Sequence, residues 1–377
     1  MRILVNALSV THLSAKHVFF GHLTQLAKRI AKEHHYFILY HIKNNNITQD
    51  LGPNVEWVLC PRHTAQWIGR TCWERTILPC MAKKFNVDLL LTFSGSTIPH
   101  FLIPQVSYAM NPWALVSQVK KAFPDKLKAH LQRKAYKIAM EKADMMLFLS
   151  EYMRQEYRRN NAYVQEKASQ IVYAGLDKET LATADQMRVS TQKKPFQILC
   201  VSAMAPYKGV ETVVEAVYRL QQHYKLPVSL YLVGPWPDKQ YERKIRNLVI
   251  KRQLDKAVSF KGHVPQNDLY RYYAEAKVFC LMSWCESFGI PALEAQAFGT
   301  PVIGSNCCAM PEICGKGGVY LDPGDVEGVS KALAQILRDD NYWTIISKAA
   351  IDNTLKYKWE MCSRPLLNIF DIAKKTT

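Results

Sequence analysis

The stretch Val278–Ser305, VFCLMSWCESFGIPALEAQAFGTPVIGS, restricts the fold more than any other part of the chain. An apolar run of buried-strand length, Val278 to Met282, leads into a polar loop, Ser283 to Ser287. Phe288 to Phe298 then reads as a helix. Pro291 fits its first turn, where the missing N–H costs little, and Gly299 fits the position just past its end, with Pro301 beyond. A second strand starts at Pro301 and runs to Ile303. Strand, loop, helix and strand in this order make the crossover of a parallel sheet. Two carboxylates, Glu286 in the loop and Glu294 in the second helical turn, crowd a terminus whose free N–H groups attract anions. That placement points to a bound ligand.

The same alternation runs through both halves of the chain. The first half predicts strands at Arg2–Leu8, Tyr36–His41, Val55–Leu59, Val87–Thr92, Val106–Met110, Met145–Leu149 and Gln170–Tyr173. Helices are expected at His17–Glu33, at Trp73–Phe85 and after the N-capping Ser150. Leu181–Lys194 is polar, without aromatics or strong pattern, and reads as a linker. Strands then recur at Phe196–Val201, Val228–Val233, Val258–Lys261 and Val319–Leu321, with helices between them. The expected organisation is a first domain over 1–180, a linker over 181–195, a second domain over 196–358 and a helical tail over 359–377. The fold class is α/β: two Rossmann-like parallel-sheet domains facing a central cleft at the strand carboxyl ends. Ser9, Ser94 and Asn111 fall at such ends in the first half and are candidates for binding there. No GxGxxG follows the first strand, so a dinucleotide site is not expected.

Composition narrows the setting. A chain of 377 residues with 48% hydrophobic and 21% charged residues is globular and long enough for about two domains. No apolar run approaches the roughly 20 residues needed to cross a bilayer, and MRILVNALSV reads as a core strand rather than a signal peptide. Ten cysteines without CxxC pairs indicate neither zinc nor a disulfide framework, and fit the reduced thiols of a cytoplasmic protein. The net charge of +17 is concentrated in Lys120, Lys121, Lys126, Lys128, Arg133, Lys134, Lys137 and Lys142. Val116, Val119, Phe123, Leu127, Leu131, Ala135 and Ile138 recur among them at helical spacing. Such a basic amphipathic stretch over 116–142 suits an anionic membrane surface, and equally a core-packed helix with a solvated basic face. No RNP, KH or helix-turn-helix signature accompanies it, so nucleic acid is not an expected partner.

Five motifs follow one another in the second half: Tyr207-Lys208-Gly209 after a strand, Gly262-His263-Val264 before a helix, the run from Glu286 to Glu294, Pro311-Glu312, and Leu321-Asp322-Pro323. Together, from about Phe196 to Leu337, they resemble the nucleotide-sugar domain of glycosyltransferase family 4, retaining enzymes of the GT-B fold that include bacterial surface-polysaccharide glycosyltransferases. The first half is similar more loosely, through Asn6-Ala7-Leu8-Ser9, the strand Asp88–Leu91 with its Ser-Gly loop, and Ala143-Asp144 before Leu149-Ser150-Glu151. The resemblance implies an acceptor-binding first domain, a donor-binding second one, and a tail that returns to the first.

It also implies roles. Lys208 would set a point charge against the donor diphosphate. Backbone N–H groups of Phe288, Gly289 and Ile290 would add helix-terminus donors, with Gly289 allowing close approach. Glu294 would hold the ribose hydroxyls, Val264 is a further candidate for binding the donor nucleotide, and Glu286 would orient the donor sugar on the reacting side. Lys208 and Glu286 are thus the catalytic candidates. No side-chain nucleophile, metal or cofactor is implied beyond a UDP- or GDP-linked sugar, since retention proceeds by front-face attack with the donor phosphate taking the acceptor proton. The chain departs from the family pattern in three places. Ser202 stands six positions before Lys208, where an arginine is frequent, and is kept as a phosphate candidate. Ser9-Val10-Thr11-His12-Leu13-Ser14 replaces a glycine-rich loop. Tyr108-Ala109-Met110-Asn111 holds no histidine. The expected function is transfer of a hexose to a glycan or lipid-linked glycan at the cytoplasmic face of a membrane. A nucleotide-sugar epimerase of the same fold and a non-catalytic nucleotide-sugar-binding or scaffold protein are the other readings.

Overall fold

The short apolar runs become the strands of two all-parallel sheets. The structure is a computed structural model that describes residues 1–99, 101–117, 119, 125–161 and 166–374. The first sheet contains β1 (Arg2–Asn6), β2 (His35–Tyr40), β3 (Val55–Leu59), β4 (Leu89–Thr92), β5 (Gln105–Ala109), β6 (Met145–Phe148) and β7 (Ser169–Ile171), in the order β3-β2-β1-β4-β5-β6-β7. The second contains β8 (Lys194–Val201), β9 (Ser229–Val233), β10 (Val258–Gly262), β11 (Ala276–Leu281), β12 (Val302–Ser305) and β13 (Gly318–Leu321), in the order β10-β9-β8-β11-β12-β13. Ile3, Leu4 and Val5 are fully buried, as a central strand covered on both faces must be. The edge strand β3 is only half-covered.

In each sheet the chain builds outward on one side and then crosses to the other. The crossing lies between β1 and β4 in the first sheet and between β8 and β11 in the second. Open α/β sheets bind ligands outside the strand carboxyl ends at such a reversal.

The chain divides into two compact units. One holds Met1–Ser117, the described chain from 125 to Gly175, and the segment from Trp359 onward; the other holds Leu176–Lys358. Within the first unit, the tail forms short helical turns at Trp359–Cys362, Arg364–Asn368 and Ile369–Lys374. The Trp359 ring lies 5.0 Å from His22 and 5.3 Å from His17, on the helix Leu13–Gln25. Gly21 makes room for it: a Cβ there would sit 2.1 Å from the indole.

Three expectations need correcting. Leu181–Lys194 is not a linker, because Lys178–Ser190 is a helix and β8 begins at Lys194. That helix buries only Thr180 and Ala184, too little apolar surface to signal itself in the sequence. The predicted helix Trp73–Phe85 is two helices, Trp67–Thr76 and Leu78–Lys84, with Pro79 opening the second. The basic stretch forms a helix only over Asp125–Lys142, and it buries Ala129, Tyr136, Ala139 and Met140. Leu127, Leu131 and Ile138, part of the apolar stripe at helical spacing, lie on the opposite, exposed side, so the core-packed alternative does not hold for that stripe. Lys120, Lys121 and Phe123 lie outside the described residues.

Candidate functional site

In the second unit the loops after β8 and β11 flank the reversal of strand order. The loop after β8 ends in a single turn, Pro206–Lys208, closed by Gly209 at φ 63°. A Cβ on Gly209 would meet the Met282 carbonyl oxygen at 2.0 Å, so only glycine fits this close crossing of two chains. The Trp284 N–H donates to the Tyr207 carbonyl at 2.8 Å and ties the two loops together. That seam brings Lys208 Nζ to 2.5 Å from Glu286 Oε1. Both side chains are nearly buried, at 11% and 14% exposure, so the ion pair is not a solvated surface pair. Burial pulls the Lys208 pKa down, but the Glu286 carboxylate and then the Tyr207 phenol outweigh it, and the net shift is upward. Lys208 is therefore a fixed cation.

The helix beyond is Ile290–Ala297. Gly289 precedes it at φ 94°, and Met310 Sδ lies 2.7 Å from where a Cβ would sit, so a glycine is required at this helix start. Phe288 is buried edge-on against Tyr357 at 5.7 Å, which makes it a packing residue whose backbone alone can meet a ligand. Glu294 accepts a hydrogen bond from the Tyr273 hydroxyl at 2.8 Å. Burial first, and the neighbouring Glu294 charge second, keep that phenol protonated and donating. Glu286 and Glu294 thus have separate partners. Gly299 closes the helix at φ 71°, the left-handed stop its position predicted.

Other expected contacts are quieter. The Ser202 hydroxyl lies 3.2 Å from Met204 Sδ, and the residue is buried. Its carbonyl oxygen faces Gly234, where a Cβ would approach to 1.9 Å. Val264 is half-buried after β10, beside the exposed His263. Pro311 and Glu312 fall in the short helix Met310–Cys314 behind Gly289.

The acceptor candidates belong to the first unit. Ser9 follows β1 and donates to the Phe93 carbonyl at 3.1 Å across the reversal between β1 and β4. Ser94 pairs with Ser96 at 2.8 Å, and the Asn111 side-chain oxygen accepts from the Trp113 N–H at 3.0 Å. Two residues escaped the sequence reading. Tyr273 sits on the helix Gln266–Glu275 with nothing local to mark its reach to Glu294. Glu74 accepts from Asn6 Nδ2 at 2.7 Å beside the end of β1. Burial raises its pKa, against the opposing effects of Asn6, Arg70 and Arg75. Among the described residues, no group of three or more His, Cys, Asp or Glu is arranged to hold a metal ion.

Comparison with known proteins places this geometry. Residues 183–353 match the family model for glycosyl transferases group 1. O-antigen chain mannosyltransferase B of Escherichia coli is 30% identical over 176 residues, 46% of this chain and 45% of that protein. The chain therefore spans less than half the length of that relative. Among solved structures, sucrose-phosphate synthase from Thermosynechococcus elongatus superimposes with a TM-score of 0.79 at 18% identity, over 100% of both chains. The Anabaena protein HepE, solved with UDP and glucose, gives 0.75 at 15% identity over 98% of this chain and 99% of its own. The chain is a protein of the GT-B fold that resembles bacterial surface-polysaccharide glycosyltransferases, with a glycosyl transferases group 1 match over residues 183–353.

Proposed function

We propose that this protein transfers a hexose from a nucleoside-diphosphate sugar to a glycan or lipid-linked glycan, with retention and without a metal. The observation that carries the reading is the nearly buried Lys208–Glu286 pair at 2.5 Å, set where the strand order reverses and beside the start of the helix Ile290–Ala297. An ammonium and a carboxylate at one place suit a substrate that is anionic at one end and hydroxylated at the other. Lys208 stabilises the charge that develops on the departing diphosphate, helped by the N–H groups at the helix start. Glu286 accepts hydrogen bonds from the donor sugar, and Glu294, fixed by Tyr273, accepts from the ribose. Ser9, Ser94 and Asn111 are assigned to the acceptor.

The relative named as an O-antigen mannosyltransferase supports a surface-polysaccharide product, and the neighbour solved with UDP and glucose supports a nucleotide-sugar donor. Incubating the protein with UDP- and GDP-hexoses and a lipid-linked glycan should give elongated product. Lys208→Ala should lower its rate by about 100-fold or more. Full activity in that variant would end the phosphate assignment.

We assign the site of reaction to the cytoplasmic membrane surface. On the helix Asp125–Lys142, the exposed Leu127, Leu131 and Ile138 form one stripe flanked by lysines, which suits shallow contact with anionic headgroups. No helix among the described residues is long and apolar enough to cross a membrane. Co-sedimentation with anionic but not neutral vesicles, weakened by salt, is the expected result. Equal sedimentation with both would overturn it.

A further inference from the structure

The segment expected as a linker ends on the far side of the site helix. Lys193 Nζ donates to the Phe298 carbonyl at 3.1 Å, to the Tyr273 carbonyl at 3.1 Å and to the Thr300 hydroxyl at 2.5 Å. Arg188 Nη1 donates to the Ala297 carbonyl at 2.5 Å. Two cations therefore cap the carboxyl end of Ile290–Ala297, where unpaired carbonyls carry the negative pole of the helix. Thr300 itself donates to the Tyr273 carbonyl at 2.7 Å. Tyr273 is thus held at its backbone by Lys193 and Thr300, while its hydroxyl holds Glu294. Its ring stacks on Phe298 at 5.7 Å, so the helix that carries Glu294 and the residue that orients Glu294 share one anchor.

We propose that Lys193 is a positioning residue for nucleotide binding, acting through Tyr273 and the site helix on Glu294. The inference rests on the nucleotide-binding reading given above. The surroundings of the amine are crowded with positive charge. Lys277, paired with Asp340 at 2.7 Å, and Arg188, paired with Asp185, are the charged groups near the amine. Burial first, then the Lys277 and Arg188 charges, push the Lys193 pKa down to about 7. Below that pH the amine is charged in both folded and unfolded chains, so its desolvation is a full cost to the fold. The three hydrogen bonds of the amine offset that cost, and one of them fixes the backbone of Tyr273, whose hydroxyl holds Glu294.

The test measures UDP and GDP affinity by calorimetry at pH 6, together with the melting temperature, for the full chain. Lys193→Met should weaken the preferred nucleotide about tenfold while changing the melting temperature by no more than a few degrees. Lys193→Arg should recover part of the affinity. Tyr273→Phe, which removes only the hydroxyl that reaches Glu294, should weaken the same nucleotide. The double variant should then bind no worse than the weaker single one, since both act along one path. Additive losses would overturn the proposal, as would wild-type affinity in Lys193→Met. If Lys193→Met does not fold, affinity in Lys193→Arg between those of the wild type and Tyr273→Phe supports the path, and unaltered affinity refutes it. If the wild-type chain binds neither UDP nor GDP, the nucleotide-sugar reading itself falls.

Discussion

The two units reverse their strand order in the same way and fill the two reversals with opposite chemistry. Between β8 and β11 stands an ion pair, Lys208 with Glu286, in near-complete burial. Between β1 and β4 stands a neutral contact, the Ser9 hydroxyl on the Phe93 carbonyl. The imidazole of His22, buried in the first unit, is neutral as well. His22 takes a hydrogen bond at Nδ1 from Ser363 at 2.9 Å and gives one at Nε2 to Tyr108 at 3.2 Å, an assignment fixed because the Tyr108 hydroxyl donates onward to the Val172 carbonyl. One scaffold therefore carries a nearly buried ion pair at one reversal and a neutral hydroxyl contact at the other. The fold sets where a ligand can bind; the residues at the strand ends decide which kind.

The largest expected effect breaks the charged reversal. Glu286→Ala strands the Lys208 ammonium in a nearly buried place and should destabilise the second unit by about 3 kcal/mol. Hydrogen exchange resolved by segment should show the loss in 176–358 and not in the first unit. A loss spread evenly over both would mean that the pair is not local to its unit.

Acid should break the neutral unit next. The His22 pKa is lowered from 6.5 to about 3 by burial, with a smaller contribution from His17. The unfolded chain takes up that proton as pH falls below 6.5, whereas the folded chain does not until about 3. The stability contributed by neutral His22 is therefore complete above pH 6.5 and is lost as pH falls toward 3. At pH 4.5 the loss should be roughly 2–3 kcal/mol. His22→Gln should flatten that slope in denaturant midpoints measured between pH 7 and 4.5; an unchanged slope would remove His22 as its source.

A smaller effect concerns the tail. Gly21→Ala places a methyl carbon 2.1 Å from the Trp359 ring and should cost about 2 kcal/mol by displacing the tail from its helix. Faster proteolysis near Trp359 would report it, with the second unit intact.

Much of this was legible in the sequence, for definite reasons. Strands buried on both faces are continuous apolar runs, so Val278–Met282 and Arg2–Leu8 announced themselves. The glycines at 209, 289 and 299 mark places where the backbone must take a positive φ. What stayed hidden was long-range or weakly apolar. The helix Lys178–Ser190 buries a threonine and an alanine, so polarity made it look like a linker. Lys193, Tyr273 and Glu74 act through partners 21 to 107 positions away in the chain, which no local pattern reveals. On Asp125–Lys142 the packed face uses Ala129 and Ala139, whose small side chains any hydrophobic reading ranks below Leu127 and Leu131, so which face is buried was not legible.

The smallest effect tests the division of roles most sharply. Glu294→Gln keeps an oxygen that the Tyr273 hydroxyl can reach, so the fold should be unaffected. The substitution removes the negative charge that strengthens a hydrogen bond from a ribose hydroxyl, and UDP or GDP affinity should fall about tenfold, or ~1.4 kcal/mol. Glu74→Gln in the first unit is the matching control, because its oxygen can still accept from Asn6. It should leave nucleotide affinity unchanged. If Glu74→Gln weakened the nucleotide as much as Glu294→Gln, the carboxylates of the two units would serve one ligand, and the contrast between the two units would fail. Loss of affinity in Glu294→Gln alone would tie the nucleotide to the helix that Tyr273 and Lys193 hold.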